Sequence, residues 1–173
     1  MDEGRFGLKV WFQRRWCPYR TRPVWEVQDR YEWCWLYAAV EPATGRSFWL
    51  LMPGVDSACL QAFLDAFAQH LGEARIGLVL DGAGAHTAQT LDWPDGIVPL
   101  RLPPYSPELN PVELIFRRLR AALSNRIFAD LVALETAITE AVQPFWEQPA
   151  SLQQLTGFEW WLDGVADILP LAS

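Results

Sequence analysis

The sequence of 173 residues has few of the features of a secreted, membrane-bound or disulfide-linked protein. No apolar run approaches the roughly 18–20 residues that cross a bilayer, and the start MDEGRFGLKVWF lacks a basic region followed by an apolar core and a cleavage site. The cysteines, Cys17, Cys34 and Cys59, are odd in number and match neither a disulfide framework nor a zinc-site spacing. These absences predict free thiols, no membrane association and a cytoplasmic location.

Basic residues are also scarce, with 14 Lys and Arg against 21 Asp and Glu and a net charge of -7. This balance argues against nucleic-acid binding, which depends on neutralising phosphates. The distribution is uneven, because residues 1–30 hold seven basic and four acidic side chains, net +3, whereas residues 31–173 hold seven and seventeen, net -10. The basic segment is typical of a solvated surface loop or of a contact with a nucleic acid.

Apolar residues, in contrast, are abundant: 51% of the chain is hydrophobic and ten residues are tryptophan, which predicts one globular domain. Runs rich in aromatic and β-favouring residues at 31–40 and 47–52 flank a turn and predict a hairpin. Continuous apolar runs at 76–81 and 97–102 are typical of strands covered on both faces. A further strand is predicted at residues 7–12.

Helical spacing of apolar residues follows the hairpin and recurs towards the end of the chain. Asp56 or Ser57 can cap the first helix and Gly72 can end it, while Pro111 is a favourable first residue for another. The remaining predicted helices are at about residues 85–93, 130–143 and 150–169. This order of strands and helices predicts an α/β protein with a mixed sheet covered by helices on both faces.

Several acidic residues are candidates for a site. Asp81 ends a predicted buried strand, and open α/β sheets bind ligands at that edge, although Asp-Gly alone is more typical of a turn. Asp2 and Glu3 precede the predicted first strand, where acids usually have no role. His86 is more typical of a core or helix-start position than of a ligand.

The stretch LPPYSPELNPVELIF, residues 102–116, uses prolines to fix how the chain enters a helix. Asn110, Pro111 and Glu113 have the spacing of a capping box, which is one explanation of the glutamate. An ion pair with Arg117, one turn along the helix, is another. Geometry also allows Glu113 to face Asp81. Later in the chain, the adjacent pair WW at 160–161 fits either the core or an exposed contact patch.

Two motifs resemble those of DDE transposases, in the bacterial insertion-sequence branch related to mariner elements. They are LDGAGAH and LPPYSPELNPVELIFRRLR, the second being long and specific. MDEGRFGL and RRWCPYRTRP are also similar to family segments, so the resemblance covers nearly the whole chain. It implies a single catalytic domain over residues 1–173, with a ribonuclease H-like three-layer fold, a mixed five-stranded sheet and extra C-terminal helices.

The resemblance assigns the catalytic and metal-binding roles to Asp2, Asp81 and Glu113. Three converging carboxylates repel one another unless divalent cations lie between them, which implies two Mg²⁺ or Mn²⁺ ions. Two such ions can activate water or a 3'-hydroxyl and stabilise the leaving oxygen of an in-line phosphoryl displacement. The implied reactions are DNA strand cleavage at the ends of an insertion sequence and strand transfer into target DNA.

The implied partners are terminal inverted repeats, target DNA, and another copy of the chain or a full-length transposase, with a nucleoid-associated location. The candidate DNA-binding residues are Arg14, Arg15, Arg20, Arg22, Arg117, Arg118 and Arg120. The further motif residues are His86, Pro103, Pro104, Tyr105, Ser106, Pro107, Asn110 and Pro111.

The chain departs from the family pattern at two positions. Gly82 stands where the family usually has Asn, which is expected to leave the role of Asp81 intact. Only Met1 precedes Asp2, so the chain resembles the back half of a transposase, without the upstream helix-turn-helix region and part of the central strand. The isolated chain is therefore expected to bind element ends poorly.

Two alternatives remain open at the level of sequence. One is a catalytically silent fragment that acts as an interaction module, pairing through its incomplete sheet or its Trp160/Trp161 end. The other is a structure-selective nuclease of the same fold, which would cut branched DNA or RNA hybrids without terminal repeats.

Overall fold

The computed structural model describes residues 1–22, 24, 26–82, 91–104 and 106–168. Residues 166–168 are described by their backbone only. The strands are β1 (Asp2–Gly7), β2 (Trp33–Val40), β3 (Ser47–Met52), β4 (Ile76–Leu80) and β5 (Ile97–Arg101). The helices are α1 (Ser57–Leu71), α2 (Val112–Leu123), α3 (Leu131–Glu147), α4 (Pro149–Thr156) and α5 (Glu159–Ile168), and a short 3-10 turn (Pro107–Leu109) precedes α2.

The strands of the described residues form two sheets. In the first, β1, β2 and β3 are antiparallel in that order, with Asp2 opposite Ala38, and in the second β4 and β5 are parallel. The backbone nitrogen of Met1 donates to the carbonyl of Val79 at 2.7 Å, which brings the start of β1 against β4. One five-stranded sheet was predicted; in the described residues there are two sheets, because a hydrogen bond rather than a ladder connects β1 to β4.

The prediction of helices on both faces is confirmed. Successive side chains of a strand point to opposite faces, so β2 contributes to two separate cores. Leu36 and Ala38 pack with residues of α2, α3 and α4, whereas Tyr37 and Ala39 pack with residues of α1 and β4. Three layers result, with the antiparallel sheet in the middle.

The hairpin and α1 also follow the sequence prediction. β2 and β3 are antiparallel neighbours joined by the turn at Gly45. Asp56 caps α1 through a 2.8 Å bond from the Cys59 backbone nitrogen, and Gly72 ends it with a φ of 63°, a left-handed conformation that favours glycine. None of the helices in the described residues is long and apolar enough to cross a bilayer. Cys17, Cys34 and Cys59 are free thiols, as predicted.

The first strand was predicted at residues 7–12 and lies instead at Asp2–Gly7. Glycines hide its alternating pattern, because Gly4 occupies a core-facing position that an apolar side chain would normally mark. A Cβ atom at Gly4 would lie 2.9 Å from the ring of Phe116, so the absence of a side chain lets α2 pack directly on β1. This close approach positions the N-terminal turn of α2 near Asp2.

Two helix predictions need correction. The segment at 150–169 forms two helices, because the chain turns at Gly157. A Cβ atom there would lie 2.6 Å from the carbonyl oxygen of Gln153 and 2.9 Å from that of Pro42, so the turn has no room for a side chain. In the helix predicted at 85–93, residues 85–90 lie outside the described residues and 91–93 are not helical.

Candidate active site

Asp2 is the first residue of β1 and is half-buried at the junction of β1, β4 and α2. Its Oδ1 accepts a hydrogen bond from the backbone nitrogen of Glu3 at 2.8 Å. Burial, followed by the charge of Glu113, raises the pKa of Asp2 to about 7. Asp2 and Glu113, 111 positions apart in sequence, therefore act on each other electrostatically.

Asn110 connects the segment that carries Glu113 to the start of β1. Its side chain is 4% exposed, its Nδ2 donates to the carbonyl of Met1 at 3.1 Å, and its Oδ1 accepts from the backbone nitrogen of Val112 at 3.2 Å. One amide thus bonds to the first residue of α2 and holds that helix end beside Asp2. Asn110 was predicted to cap the helix with Pro111 as its first residue; α2 begins instead at Val112 with Pro111 before it, and the bond from Asn110 reaches that first residue. The tether to Met1 is a function that the sequence did not indicate.

The reciprocal half of the predicted capping box does not form, because the backbone nitrogen of Asn110 donates to the carbonyl of Pro107 at 3.0 Å. The carboxylate of Glu113 lies 3.9 Å from the guanidinium of Arg120. The ion pair predicted as one explanation of Glu113 was with Arg117, so its partner is corrected to Arg120. The side chain of Glu113 is 39% exposed. Glu113 is therefore not committed to the helix cap and faces the solvent beside Asp2.

Asp81 follows β4 directly and is exposed. Burial lowers the pKa of the Met1 amine to about 6, and the charges of Asp2, Glu3 and Asp81 oppose this shift, so Asp81 also lies near the start of β1. Asp2 and Asp81 thus lie on the adjoining ends of β1 and β4, and Asn110 holds the helix that carries Glu113 against the same end of β1. Within the described ranges, however, no three His, Cys, Asp or Glu side chains are close enough to hold a metal ion together.

The predicted basic residues lie in two places. Arg14, Arg15, Arg20 and Arg22 are exposed in the segment between β1 and β2, here called the basic arm (residues 10–31), whose described residues form no helix or strand. Arg117 and Arg118 are exposed on α2, and Arg120 is half-buried with its guanidinium 6.0 Å from the ring of Trp11. The arm therefore begins beside the helix that carries Glu113.

Asn125, in the loop after α2, holds the base of the basic arm. Its backbone nitrogen donates to Trp11, its Oδ1 accepts from the Gln13 nitrogen, and its Nδ2 donates to the Gln13 carbonyl, at 2.9 to 3.1 Å. Its φ of 57° is left-handed, a conformation that Asn tolerates better than most residues. The loop therefore fixes where the arm leaves the domain.

Asn125→Ala is expected to lower the free energy of unfolding by about 1–2 kcal/mol, because it removes two side-chain hydrogen bonds and strains the left-handed backbone. Urea denaturation measures this change. Asn125→Gly is the matched control. It loses the same side-chain hydrogen bonds, but glycine adopts the left-handed conformation without strain, so this variant should be more stable than the alanine variant. Equal stability of the alanine variant and the parent would contradict this account of the arm.

The remaining motif residues divide into three groups. Pro103 and Pro104 are exposed, and the Ser106 hydroxyl donates to the Pro104 carbonyl at 3.3 Å. Pro107 begins the 3-10 turn, and Pro111 has helical backbone angles before α2. His86 and Tyr105 lie outside the described residues. The prolines therefore direct the chain from β5 into α2, as their fixed φ predicts.

The C-terminal aromatic residues contribute to the surroundings of this site. Trp161 is half-buried and donates from Nε1 to the carbonyl of Leu109 at 3.2 Å, while Trp160 is exposed. The two predicted roles, packing and an exposed patch, are thus divided between neighbours. Phe158, which lies next to Trp160, was missed because the weak periodicity of its segment gave no signal.

A sequence model described as DDE superfamily endonuclease matches residues 1–135. The chain belongs to the DDE endonuclease family. An uncharacterised protein of Sinorhizobium fredii, y4pE/y4sA, is 35% identical over 130 residues, which are 74% of this chain and 96% of that protein. The resemblance to DDE transposases drawn from the two motifs is confirmed.

Crystal structures of Mos1 mariner transposase complexes share the fold of this DDE endonuclease. The paired-end complex with Mn aligns with a TM-score of 0.63 at 18% identity, over 96% of this chain and 54% of that one. A pre-cleavage Mos1 transpososome aligns with a TM-score of 0.65 at 17% identity, over 95% and 54%. The chain thus spans about half the length of the Mos1 chains and has the α/β fold of a mariner transposase.

Proposed function

We propose that this DDE endonuclease cleaves DNA strands at the ends of an insertion sequence and transfers them into target DNA, using two Mg²⁺ or Mn²⁺ ions on a ribonuclease H-like fold. Asp2, Asp81 and Glu113 are the proposed catalytic residues. The observation that supports the proposal is that the three segments carrying these residues, the start of β1, the end of β4 and the start of α2, adjoin one another.

The residues at this place suit divalent cations. Carboxylate oxygens are the ligands that Mg²⁺ and Mn²⁺ prefer. Burial together with Glu113 makes ionisation of Asp2 costly, and a dication beside both carboxylates would remove that cost. Asp2, Asp81 and Glu113 would hold the ions, which when bound supply a Lewis acid for the attacking and leaving oxygens of phosphoryl transfer.

The surrounding residues position Asp2 and the helix end that carries Glu113. The Glu3 backbone nitrogen fixes one oxygen of Asp2, and Asn110 fixes the helix end that carries Glu113. The side chains of Asp81 and Glu113 are accessible to solvent, so both could contact ions that enter from the solvent. Asp2 is therefore the member of the proposed triad that the fold fixes most directly.

The DNA strand is proposed to lie along α2 and the basic arm. Phosphate contacts position a duplex without reading its sequence, and exposed arginines are suited to this role. The exposed members are Arg14, Arg15, Arg20, Arg22, Arg117 and Arg118. Two related Mos1 structures are a paired-end complex with Mn and a paired-end complex with the left transposon end, which supports DNA ends as substrates here. Association with a second transposase chain is part of the same proposal.

Removal of the metal tests this function. Because the isolated chain is expected to bind element ends poorly, the assay uses a high protein concentration. The chain is then expected to nick a plasmid that carries the element's terminal repeats in Mn²⁺ or Mg²⁺, to stop in excess EDTA, and to resume when Mn²⁺ is restored. Gel electrophoresis of the plasmid forms measures the reaction. Nicking that persists in EDTA would contradict the proposal.

The same assay separates the alternatives. A silent interaction module would produce no metal-dependent nicking on any DNA while still associating with a transposase chain. A structure-selective nuclease would cut branched DNA or RNA hybrids equally well with and without the repeats.

A further inference from the structure

A cleft of about 570 Å³ begins at Glu113 and extends to two aromatic rings, that of Phe158 directly before α5 and that of Trp160 in the first turn of α5. Its walls are the 3-10 turn and the first turns of α2 on one side, and Phe158 and Trp160 on the other. We name it the aromatic cleft. Its volume lies within the roughly 300–1,000 Å³ of small-ligand sites. A ligand in this cleft would touch the proposed catalytic centre at one end.

The two rings are accessible to solvent and nearly parallel to each other. Phe158 is 40% exposed and Trp160 is 52% exposed. Their ring centroids are 6.0 Å apart and their planes differ by 13°, so the rings are nearly parallel and offset. Large aromatic side chains usually bury such surface, and a stacked pair left open beside a cleft is suited to another flat ring.

The rings are held in place relative to Glu113. Trp161 donates to the carbonyl of Leu109, in the 3-10 turn that leads into α2. The carbonyl of Phe158 accepts from the backbone nitrogens of Trp161 and Leu162, both at 3.0 Å. The segment that presents Trp160 is thus fixed to the segment that presents Glu113, so a ligand would bind without ordering a loop.

The charges of the cleft indicate what could bind. Glu108 and Glu113 are acidic, which disfavours a run of phosphates, whereas Arg117 is basic and exposed. The guanidinium of Arg117 makes no ion pair or hydrogen bond with the part of the chain that the structure describes. One neutral flat ring and one phosphate match this combination, and these are the two parts of a single nucleotide.

We propose that the aromatic cleft binds one unpaired nucleotide of the DNA strand, next to the phosphodiester that is cut. The base stacks on Trp160 and Phe158, and its phosphate contacts Arg117. Stacking of this kind tolerates any base, so the cleft favours an unpaired strand over a duplex without reading sequence. The assignment of this strand to the reaction rests on the proposed function, whereas binding of the nucleotide can be measured separately.

The test is binding of a single-stranded oligonucleotide of about eight nucleotides, labelled with 2-aminopurine, to the full chain in EDTA. Stacking is expected to quench the 2-aminopurine emission, and the same oligonucleotide in a blunt duplex is expected to bind more weakly. Trp160→Ala is expected to raise the Kd roughly 5- to 150-fold, the range that corresponds to about 1–3 kcal/mol per stacked base. Trp160→Phe keeps an aromatic face and should remain within about threefold of the parent.

Trp146→Ala is the matched control. Trp146 is 42% exposed, close to the value for Trp160, but lies near the end of α3 beside a different groove, lined by Trp49 and Ile138. Its removal should leave the Kd within about twofold of the parent. Thermal unfolding of both alanine variants checks that each is folded.

An unchanged Kd in Trp160→Ala, or binding without quenching in the parent, would overturn the nucleotide site. A change of oligomeric state in Trp160→Ala at unchanged oligonucleotide affinity would also overturn it, because the rings would then bind a second copy. The proposed function can fail by itself. If the parent chain shows no metal-dependent nicking while Trp160→Ala binds the oligonucleotide more weakly than the parent, the nucleotide site stands and the proposed function is contradicted. Nicking with an unchanged Kd would reject the aromatic cleft alone.

Discussion

Asp81→Asn and Glu113→Gln are each expected to reduce metal-dependent nicking by on the order of 1,000-fold or more, which corresponds to about 4 kcal/mol of transition-state stabilisation. Each substitution keeps the shape of the side chain but removes the negative charge that would hold a divalent ion. Because Asp81 is exposed and Glu113 is partly exposed, the fold should tolerate both changes. Initial rates of plasmid nicking in Mn²⁺ measure the effect.

Glu108→Gln is the matched control for Glu113. Glu108 is an exposed acid in the same cleft, but it belongs to the 3-10 turn and is no member of the proposed triad. Its removal lowers the local negative charge to the same extent and should leave the nicking rate within a few-fold of the parent. A loss in Glu108→Gln as large as in Glu113→Gln would mean that general charge, not ion coordination, sets the rate.

Much of the fold could be predicted from the sequence where local signals agree. Asp56 and Gly72 mark the ends of α1, and both act there because capping is a short-range interaction. The parallel strands β4 and β5 were visible as continuous apolar runs. β1 was misplaced because Gly4 replaces an apolar side chain at a core-facing position, and only the packing of Phe116 explains the glycine.

The site was less predictable than the fold, because its geometry depends on contacts between distant segments. The motif indicated Glu113, and a family resemblance indicated Asp2, but neither signal reveals that Asn110 bonds to the Met1 carbonyl and so brings the two segments together. The sequence likewise does not reveal the hydrogen bond from Trp161 to the carbonyl of Leu109, which holds Phe158 and Trp160 beside the site. Side-chain amides and indoles that bridge distant segments have no periodicity, so sequence patterns do not report them.

Asp2→Asn is expected to stabilise the metal-free fold at pH 8 while abolishing metal-dependent nicking. The pKa of Asp2 is raised from 3.8 to about 7. The free energy of unfolding therefore falls as the pH rises from about 4 to about 7, and above that range the whole energetic cost of the buried charge is present. A shift of this size corresponds to on the order of 4 kcal/mol in the free energy of unfolding. Asparagine avoids the cost and keeps the oxygen that accepts from the Glu3 nitrogen.

Urea denaturation between pH 4 and pH 8 measures this prediction. The advantage of Asp2→Asn should be absent near pH 4, grow as the pH rises towards 7, and stay constant above that value. Asp163→Asn, at an exposed position of α5, is the control and should stay within about 0.5 kcal/mol of the parent at every pH.

Binding of Mn²⁺ is compared between the parent and Asp2→Asn. An ion beside Asp2 would offset the cost of the buried negative charge, which the asparagine variant does not have. At pH 8, Mn²⁺ is expected to raise the Tm of the parent by roughly 5 °C and that of Asp2→Asn by much less. At pH 5, where Asp2 is protonated in the folded state, protons compete with the ion and the effect on the parent should shrink. Equal Mn²⁺ effects on the two proteins at pH 8 would show that the ion binds elsewhere, and would remove Asp2 from the proposed triad.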